Sequence, residues 1–328
     1  MTKFKVYVSD YDYGDIEIEK SILEPIGAEV VGLQCKTGEG LAELAKDADA
    51  IIQQYAKIPR ETIEKLKKCK IIARYGIGVD IVDVEAAYEN GMVVTNVPDY
   101  CLDEVADHAI AMSLMLMRNI PFYNAKVHAG SYRWQDWRGP IPRLRDAVYG
   151  LVGFGRIAQN LTRKIKVFGF DVVAYDPYVS ESYMATMGVR KVDLDTLCKI
   201  SNVVNVLTPY TPETRHIINE EALKKMRKDA YLVGVSRGKC IDNKALYKAL
   251  TEGWIVAAAL DDPEEEPMKM ENWTPDINPL FTLDNFFCTP HTAYVSVGSL
   301  NECRHVAANN VKAVLLGQTP PDLVKPKK

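Results

Sequence analysis

Residues 150–158 read Gly150-Leu151-Val152-Gly153-Phe154-Gly155-Arg156-Ile157-Ala158, and this stretch decides the fold. The apolar run Val148 to Val152 reads as a strand and the pattern after Arg156 as a helix. Gly153, Gly155 and Ala158 therefore fill GxGxxG/A in a strand–turn–helix context. Gly153 permits the tight turn, Gly155 lets a pyrophosphate approach the backbone, and Ala158 is small enough for helix and strand to pack closely. The helix start adds free N–H groups and the positive end of the dipole. Asp176 follows Gly155 by about 20 residues, at the end of the next strand, where a carboxylate accepts from the ribose hydroxyls. A lone glycine pattern is as often an ordinary turn; the agreement of strand, helix and acid predicts a dinucleotide site that favours NAD (NADH) over NADP.

Working outward, further apolar runs follow at Val172 to Tyr175, Val203 to Leu207, Tyr231 to Val235, Val256 to Leu260 and Phe286 to Cys288. A shorter series precedes them at Val6 to Val8, Ala50 to Ile52, Ile71 to Ala73 and Val93 to Thr95, separated by helical stretches such as Ile63 to Lys68. Continuous apolar runs alternating with helices suit parallel strands covered on both faces. The fold class expected is α/β, with two doubly wound domains. Between the two series a long helix starts near Asp103, a candidate N-cap, and leads into the turn-rich, aromatic stretch His128 to Pro142. A last helix runs from about Val297 to Gly317, with Pro320, Pro321 and Pro326 closing the chain as a tail. That helix is placed back on the first domain. The expected boundaries are 1–102 with 298–328, and 103–297.

Composition agrees with two domains, since 328 residues exceed one ordinary core, and 47% hydrophobic with 26% charged residues is near the globular average. A formal net charge of -4 gives no basic field for nucleic acid. The seven cysteines, at 35, 69, 101, 198, 240, 288 and 303, form no CxxC pair, so neither a disulfide framework nor a metal site is expected. The N-terminus lacks signal-peptide character, and Ala109 to Met117 is too short to span a bilayer. A cytoplasmic protein with no membrane segment is expected.

Three more segments carry chemistry: Val235-Ser236-Arg237-Gly238, then Ala259-Leu260-Asp261 running to Glu264-Glu265-Glu266-Pro267, then Thr289-Pro290-His291. With Gly76-Ile77-Gly78-Val79-Asp80, Asn96-Val97-Pro98 and Pro209-Tyr210-Thr211-Pro212-Glu213-Thr214, they make the chain resemble the D-isomer-specific 2-hydroxyacid dehydrogenases over essentially its whole length. Ala73-Arg74-Tyr75-Gly76-Ile77-Gly78 and Asn96-Val97-Pro98-Asp99-Tyr100 are most similar to the branch of C-terminal-binding-protein-like dehydrogenases. The resemblance implies a Rossmann NAD-binding domain, a discontinuous flavodoxin-like substrate domain, and a homodimer. It also implies hydride transfer between nicotinamide C4 and C2 of a small 2-oxo or 2-hydroxy acid.

By the same resemblance Arg237 binds the substrate carboxylate and carbonyl, Glu266 pairs with His291, and His291 exchanges the proton with the C2 oxygen. Cofactor contacts are implied for Gly153, Gly155, Arg156, Ile157, Asp176, Thr208, Pro209, Thr214, Val235, Ser236, Arg237, Asp261 and His291. Substrate contacts are implied for Tyr75, Gly76, Ile77, Gly78 and Arg237. Elementary chemistry agrees: a ketone oxygen that receives negative charge needs a donor near pH 7, which imidazole supplies, and a guanidinium fork matches a planar 2-oxo carboxylate. Taken singly, each of these side chains would be an ordinary surface charge. His108, His128, His216 and His305 are expected to be structural, and Glu264 and Glu265 to be solvated neighbours of Glu266. Ile81, Gly234, Ser236 and Asp262-Pro263 depart from the family pattern. Segment 268–278, with Trp273, is either a pocket edge or a surface insertion. Two rival functions remain: an NAD(H)-sensing, corepressor-like binding protein, and a formate- or phosphite-type dehydrogenase.

Overall fold

The apolar runs become the strands of two separate parallel sheets in the computed structural model, which describes residues 3–267, 270 and 272–326. The chain divides into two units, Met1–Cys101 with Val295–Lys328, and Leu102–Tyr294.

The first unit holds β1 (Phe4–Val8), β2 (Ala28–Gly32), β3 (Ala50–Gln53), β4 (Ile71–Arg74) and β5 (Val93–Thr95), in the spatial order 2-1-3-4-5. That is the flavodoxin-like order. Alternation sorts the side chains. Val6, Val8, Ala50, Ile52 and Ala73 face one side, against Cys303, Ala307 and Val311 of the helix Val297–Leu315. Ile51, Ile72 and Val94 face the other, against Leu41, Ile63 and Val84. Ile51, Ile52, Ile71 and Ile72 are wholly buried, which at roughly 1.5–3 kcal/mol each makes this centre the main stabilising feature of the unit. The last helix is also fastened by charge. Arg304 donates to both oxygens of the fully buried Glu19 (2.9 and 2.7 Å) and to Asp15 (2.9 Å), and Glu19 accepts from the Tyr75 hydroxyl at 2.7 Å.

Three expectations change here. The proline-flanked tail contains a short strand, Leu323–Val324, paired antiparallel with β5, because the segment between the prolines is apolar enough to cover that sheet edge. The helical stretch expected at Ile63 to Lys68 is a helix at Arg60–Ile63 followed by turns. β2 was not expected either; Glu29 interrupts its apolar pattern, as suits an edge strand.

The second unit holds β6 (Val148–Val152), β7 (Asp171–Tyr175), β8 (Arg190–Lys191), β9 (Val203–Val206), β10 (Tyr231–Gly234), β11 (Ala257–Leu260) and β12 (Phe286–Cys288), all parallel, in the order 8-7-6-9-10-11-12. Renumbered from β6 this is 3-2-1-4-5-6 with a seventh strand added, the Rossmann arrangement. The helix Leu102–Met117 packs Ala106, Ala109 and Leu116 against Tyr149, Leu151 and Val233. Asp103 is its second residue and not its cap: its carboxylate accepts from Asn160 (2.9 Å) and pairs with Lys164 (2.7 Å), as a first-turn acid.

Candidate active site

Strand order reverses between β6 and β9, and the glycine turn sits there. Gly153 adopts φ +96°, and a methyl on it would press against the backbone of Leu207 and Thr208 at 3.1 Å. Gly155 caps the helix Arg156–Ile165 with no side-chain partner, and a methyl there would meet nothing within 4 Å. One glycine is thus required by the protein, while the other leaves an open cradle at an uncapped helix start. Asp176 ties the cradle together, accepting from the N–H groups of Phe154 (2.8 Å), Tyr178 (2.8 Å) and Val179 (3.2 Å). Tyr175, Asp176, Pro177 and Lys191 line a cleft of about 490 Å³ beside it. Across the turn, the Thr208 Oγ1 is buried without a hydrogen-bond partner. An open glycine face, free helix N–H groups, a carboxylate at the strand end and an orphaned hydroxyl together fit a dinucleotide. Pro209 and Thr214 close that side, with the Thr214 hydroxyl donating to the Pro209 carbonyl at 2.7 Å.

The remaining predicted residues of this unit follow the same edge of the sheet. Val235, Ser236 and Arg237 leave β10, Asp261 leaves β11, and Thr289 to His291 leave β12. Arg237 is held by its neighbour, since a methyl on Gly238 would collide with the Pro263 backbone; the two loops touch only because that residue is glycine. Asp261 is 2% exposed and organises the histidine loop. Its carboxylate accepts from the Thr289 hydroxyl (2.5 Å) and the N–H groups of Thr292 (2.8 Å) and Ala293 (2.9 Å), and its carbonyl accepts the His291 N–H (2.7 Å). Three donors leave a carboxylate room for one more, so the predicted cofactor contact of Asp261 still has a free lone pair to use.

Glu266 and His291 both hold the left-handed conformation, each at φ +53°, which is costly for a residue with a Cβ and concentrates at functional positions. Glu266 forms an ion pair with Lys239 at 2.9 Å, and the Asp262 carboxylate lies 3.8 Å from His291 Nδ1. Burial, and to a lesser degree the charges of Asp261, Asp262 and Glu265, push the nearby Cys288 thiol up to about 12.

Glu264 and Glu265 are not simply solvated. Glu264 pairs with His216 at 2.6 Å, and Glu265 accepts from Asn278 at 2.8 Å, so both fasten the loop that carries Glu266. Lys239 and the His108–Thr289 contact escaped the sequence reading, and Asp262, read there only as a departure from the family pattern, lies beside His291. Of segment 268–278, Met268, Lys269 and Glu271 lie outside the described residues; Trp273 packs edge-on against Phe281 at 5.2 Å.

In the first unit, Gly76 turns at φ +127° after β4. The carbonyls of Gly76 and Ile77 accept from the Val97 N–H (3.0 Å) and the Asn96 amide (2.7 Å), which explains why the Asn96-Val97-Pro98 segment accompanies this turn. With the carbonyls bound, the N–H groups of Ile77 and Gly78 face away from them, and among the described residues they donate to no protein acceptor. Beside them Arg74 keeps Nε and Nη1 buried without partners. The Tyr75 phenol is 3% exposed and bound to Glu19, so its side chain belongs to the core and only its backbone carbonyl is available to a ligand.

Comparison with known proteins agrees with this architecture. Residues 110–293 match the family described as D-isomer specific 2-hydroxyacid dehydrogenase, NAD binding domain. The chain is 40% identical over 305 residues to a D-3-phosphoglycerate dehydrogenase of Methanocaldococcus jannaschii, covering 92% of this chain but 56% of that protein. It is 37% identical to a glyoxylate reductase of Korarchaeum cryptofilum, covering 87% and 85% of the two chains. The D-lactate dehydrogenase of Aquifex aeolicus, solved with NAD and lactic acid, superposes with a TM-score of 0.85 at 26% identity over 99% of this chain and 100% of that one. Among the described residues no helix is long and apolar enough to cross a membrane. With two parallel sheets in the family's strand orders and a dinucleotide cradle at the switch point of the second, the chain belongs to the NAD-dependent D-isomer-specific 2-hydroxyacid dehydrogenases.

Proposed function

We propose that this chain interconverts a small 2-oxo acid and its D-2-hydroxy acid, with Arg237, Glu266 and His291 as the catalytic residues. The observation that carries the reading is that Gly153, Asp176, Thr208, Arg237, Asp261 and His291 all follow the carboxyl ends of parallel strands on one edge of one sheet. The bound nicotinamide supplies or takes the hydride at C4. The chain's own work is to position and to move a proton. Arg237 holds the 2-oxo carboxylate with a fixed pair of donors and draws electron density onto the carbonyl oxygen. His291, with Nδ1 toward Asp262, holds the exchanged proton on Nε2, and Glu266 with its neighbouring carboxylates keeps the imidazole protonated until transfer. Gly76, Ile77 and Gly78 offer backbone N–H groups to an anionic substrate group, and the unpartnered Arg74 adds a permanent charge there. Tyr75 contributes its backbone. The division of roles puts the NAD-binding domain in the second unit and the substrate domain in the first.

The relatives' names bring glyoxylate and a phosphorylated three-carbon acid to the head of the candidate substrates. A homodimer is supported by the exposed aromatic run Tyr132, Trp134 and Trp137 after the helix Ile120–His128. A cytoplasmic setting is supported by seven thiols outside any disulfide, five of them buried.

The test is NADH oxidation with a panel of 2-oxo acids, glyoxylate and the oxo acid of 3-phosphoglycerate included, with NADPH and His291→Ala in parallel. One acid should turn over with NADH, and His291→Ala should slow it roughly 100- to 10,000-fold. Tight NADH binding with no turnover of any acid would instead favour an NAD(H)-sensing binding protein.

A further inference from the structure

A threonine hydroxyl carries one proton, and at Thr289 the structure shows where that proton goes. Its Oγ1 donates to Asp261 Oδ1 at 2.5 Å, because the carboxylate can only accept. The same Oγ1 lies 3.0 Å from His108 Nε2, so at this second contact the hydroxyl must accept and the imidazole must donate. Proton counting therefore places a proton on His108 Nε2. His108 stands on the helix Leu102–Met117, packed on the sheet and far along the chain from the loop it touches. Downstream of it the order is unbroken: Thr289 to Asp261, Asp261 to the N–H groups of Thr292 and Ala293, and the Asp261 carbonyl to the N–H of His291.

We propose that His108 is a positioning residue for the proton transfer: its Nε2–H locks the Thr289 hydroxyl onto Asp261, and that lock holds His291 in its left-handed turn. The strained φ at His291 needs such support, since a residue with a Cβ keeps that conformation only where its surroundings over-determine it. Without the donor the hydroxyl can rotate, the carboxylate loses a fixed partner, and the imidazole drifts from the reacting oxygen. The inference rests on the acid/base role of His291 given above.

The decisive comparison is between His108→Leu, which removes the donor, and His108→Gln, whose side-chain amide places an N–H near the same point. With the panel acid that turns over fastest, His108→Leu should lower kcat about 10- to 100-fold. KM for the acid should stay within about twofold, because the acid is held by Arg237 and not by this chain of contacts. His108→Gln should recover most of kcat. Thr289→Val should match His108→Leu, and the double variant should be no worse than either. Wild-type kcat in His108→Leu, equal losses in the Leu and Gln variants, or additive losses in the double variant would each overturn the proposal. His291→Ala run alongside separates the two layers: if it keeps full turnover, the acid/base reading itself fails. A further measurement needs no turnover. Nitrogen NMR of imidazole-labelled protein should show a protonated Nε2 at His108, assigned by its loss in His108→Gln, and a bare Nε2 with the proton on Nδ1 alone would sink the proposal whatever the kinetics.

Discussion

The turns at Gly153 and Gly76 each follow a parallel strand, and each relies on a glycine with positive φ, yet they are built to meet an anion in different ways. The Gly153 turn opens directly into the helix Arg156–Ile165 and relies on backbone N–H groups and the helix dipole. The Gly76 turn opens into no helix until Val84, so it has no dipole to offer; it presents two N–H groups and the half-buried guanidinium of Arg74. A helix start is shared by any dinucleotide, because pyrophosphate is the same in all of them. A single placed cation is what differs from one acid to another. Under the proposed roles, the ligand common to many enzymes would be met by main chain and a helix dipole, and the particular one by main chain with one added side-chain charge.

The largest effect should come from Gly153→Val. The positive φ and the 3.1 Å approach to the Leu207 and Thr208 backbone leave no room for a side chain, and strain of about 1–3 kcal/mol predicts NADH affinity reduced roughly 10- to 100-fold in a binding titration. Arg74→Met should divide function from stability. Loss of a charge-assisted contact raises KM for the acid on the order of 10-fold with NADH affinity unchanged. Removal of a half-buried guanidinium whose Nε and Nη1 lack partners should at the same time raise the melting temperature. A lower melting temperature would mean that the guanidinium is satisfied by the protein and that the two turns are alike after all. The smallest structural effect belongs to Gly155→Ala, whose methyl meets no protein atom at an ordinary φ of -74°. Its melting temperature should match the wild type while NADH affinity falls several-fold, about 1 kcal/mol; equal affinity would show that the cofactor passes this residue at a distance.

How much of this was legible follows from the range of the forces involved. The β6 turn was readable because strand, glycines, helix and Asp176 lie within a short stretch and each follows a local rule. The catalytic segments were readable as motifs, but not their connections. Nothing near His108 in sequence announces Thr289, 181 residues away, and its role as a donor emerges only when the proton on one hydroxyl is counted. Arg74 is similar: its identity was plain, but the absence of a partner is a three-dimensional property. Glu264 and Glu265 looked like a solvated acidic run because composition cannot tell a charge facing water from one facing His216 or Asn278. β8 and the strand Leu323–Val324 are two residues long, below the length at which alternation can be recognised.

The fastening of Arg304 to Glu19 joins residues 285 positions apart. On a ribosome, the first five strands of the first unit therefore emerge without the helix that covers one of their faces. They must wait while Leu102–Tyr294 is synthesised, on the order of 10–40 s at typical elongation rates. During that interval Val6, Val8, Ile52 and Ala73 have no Cys303, Ala307 or Val311 to lie against. The second unit, by contrast, is continuous and can close as soon as β12 is out. The nascent chain is thus expected to complete its cofactor-binding half first and to keep the older half in need of a chaperone until its final helix arrives.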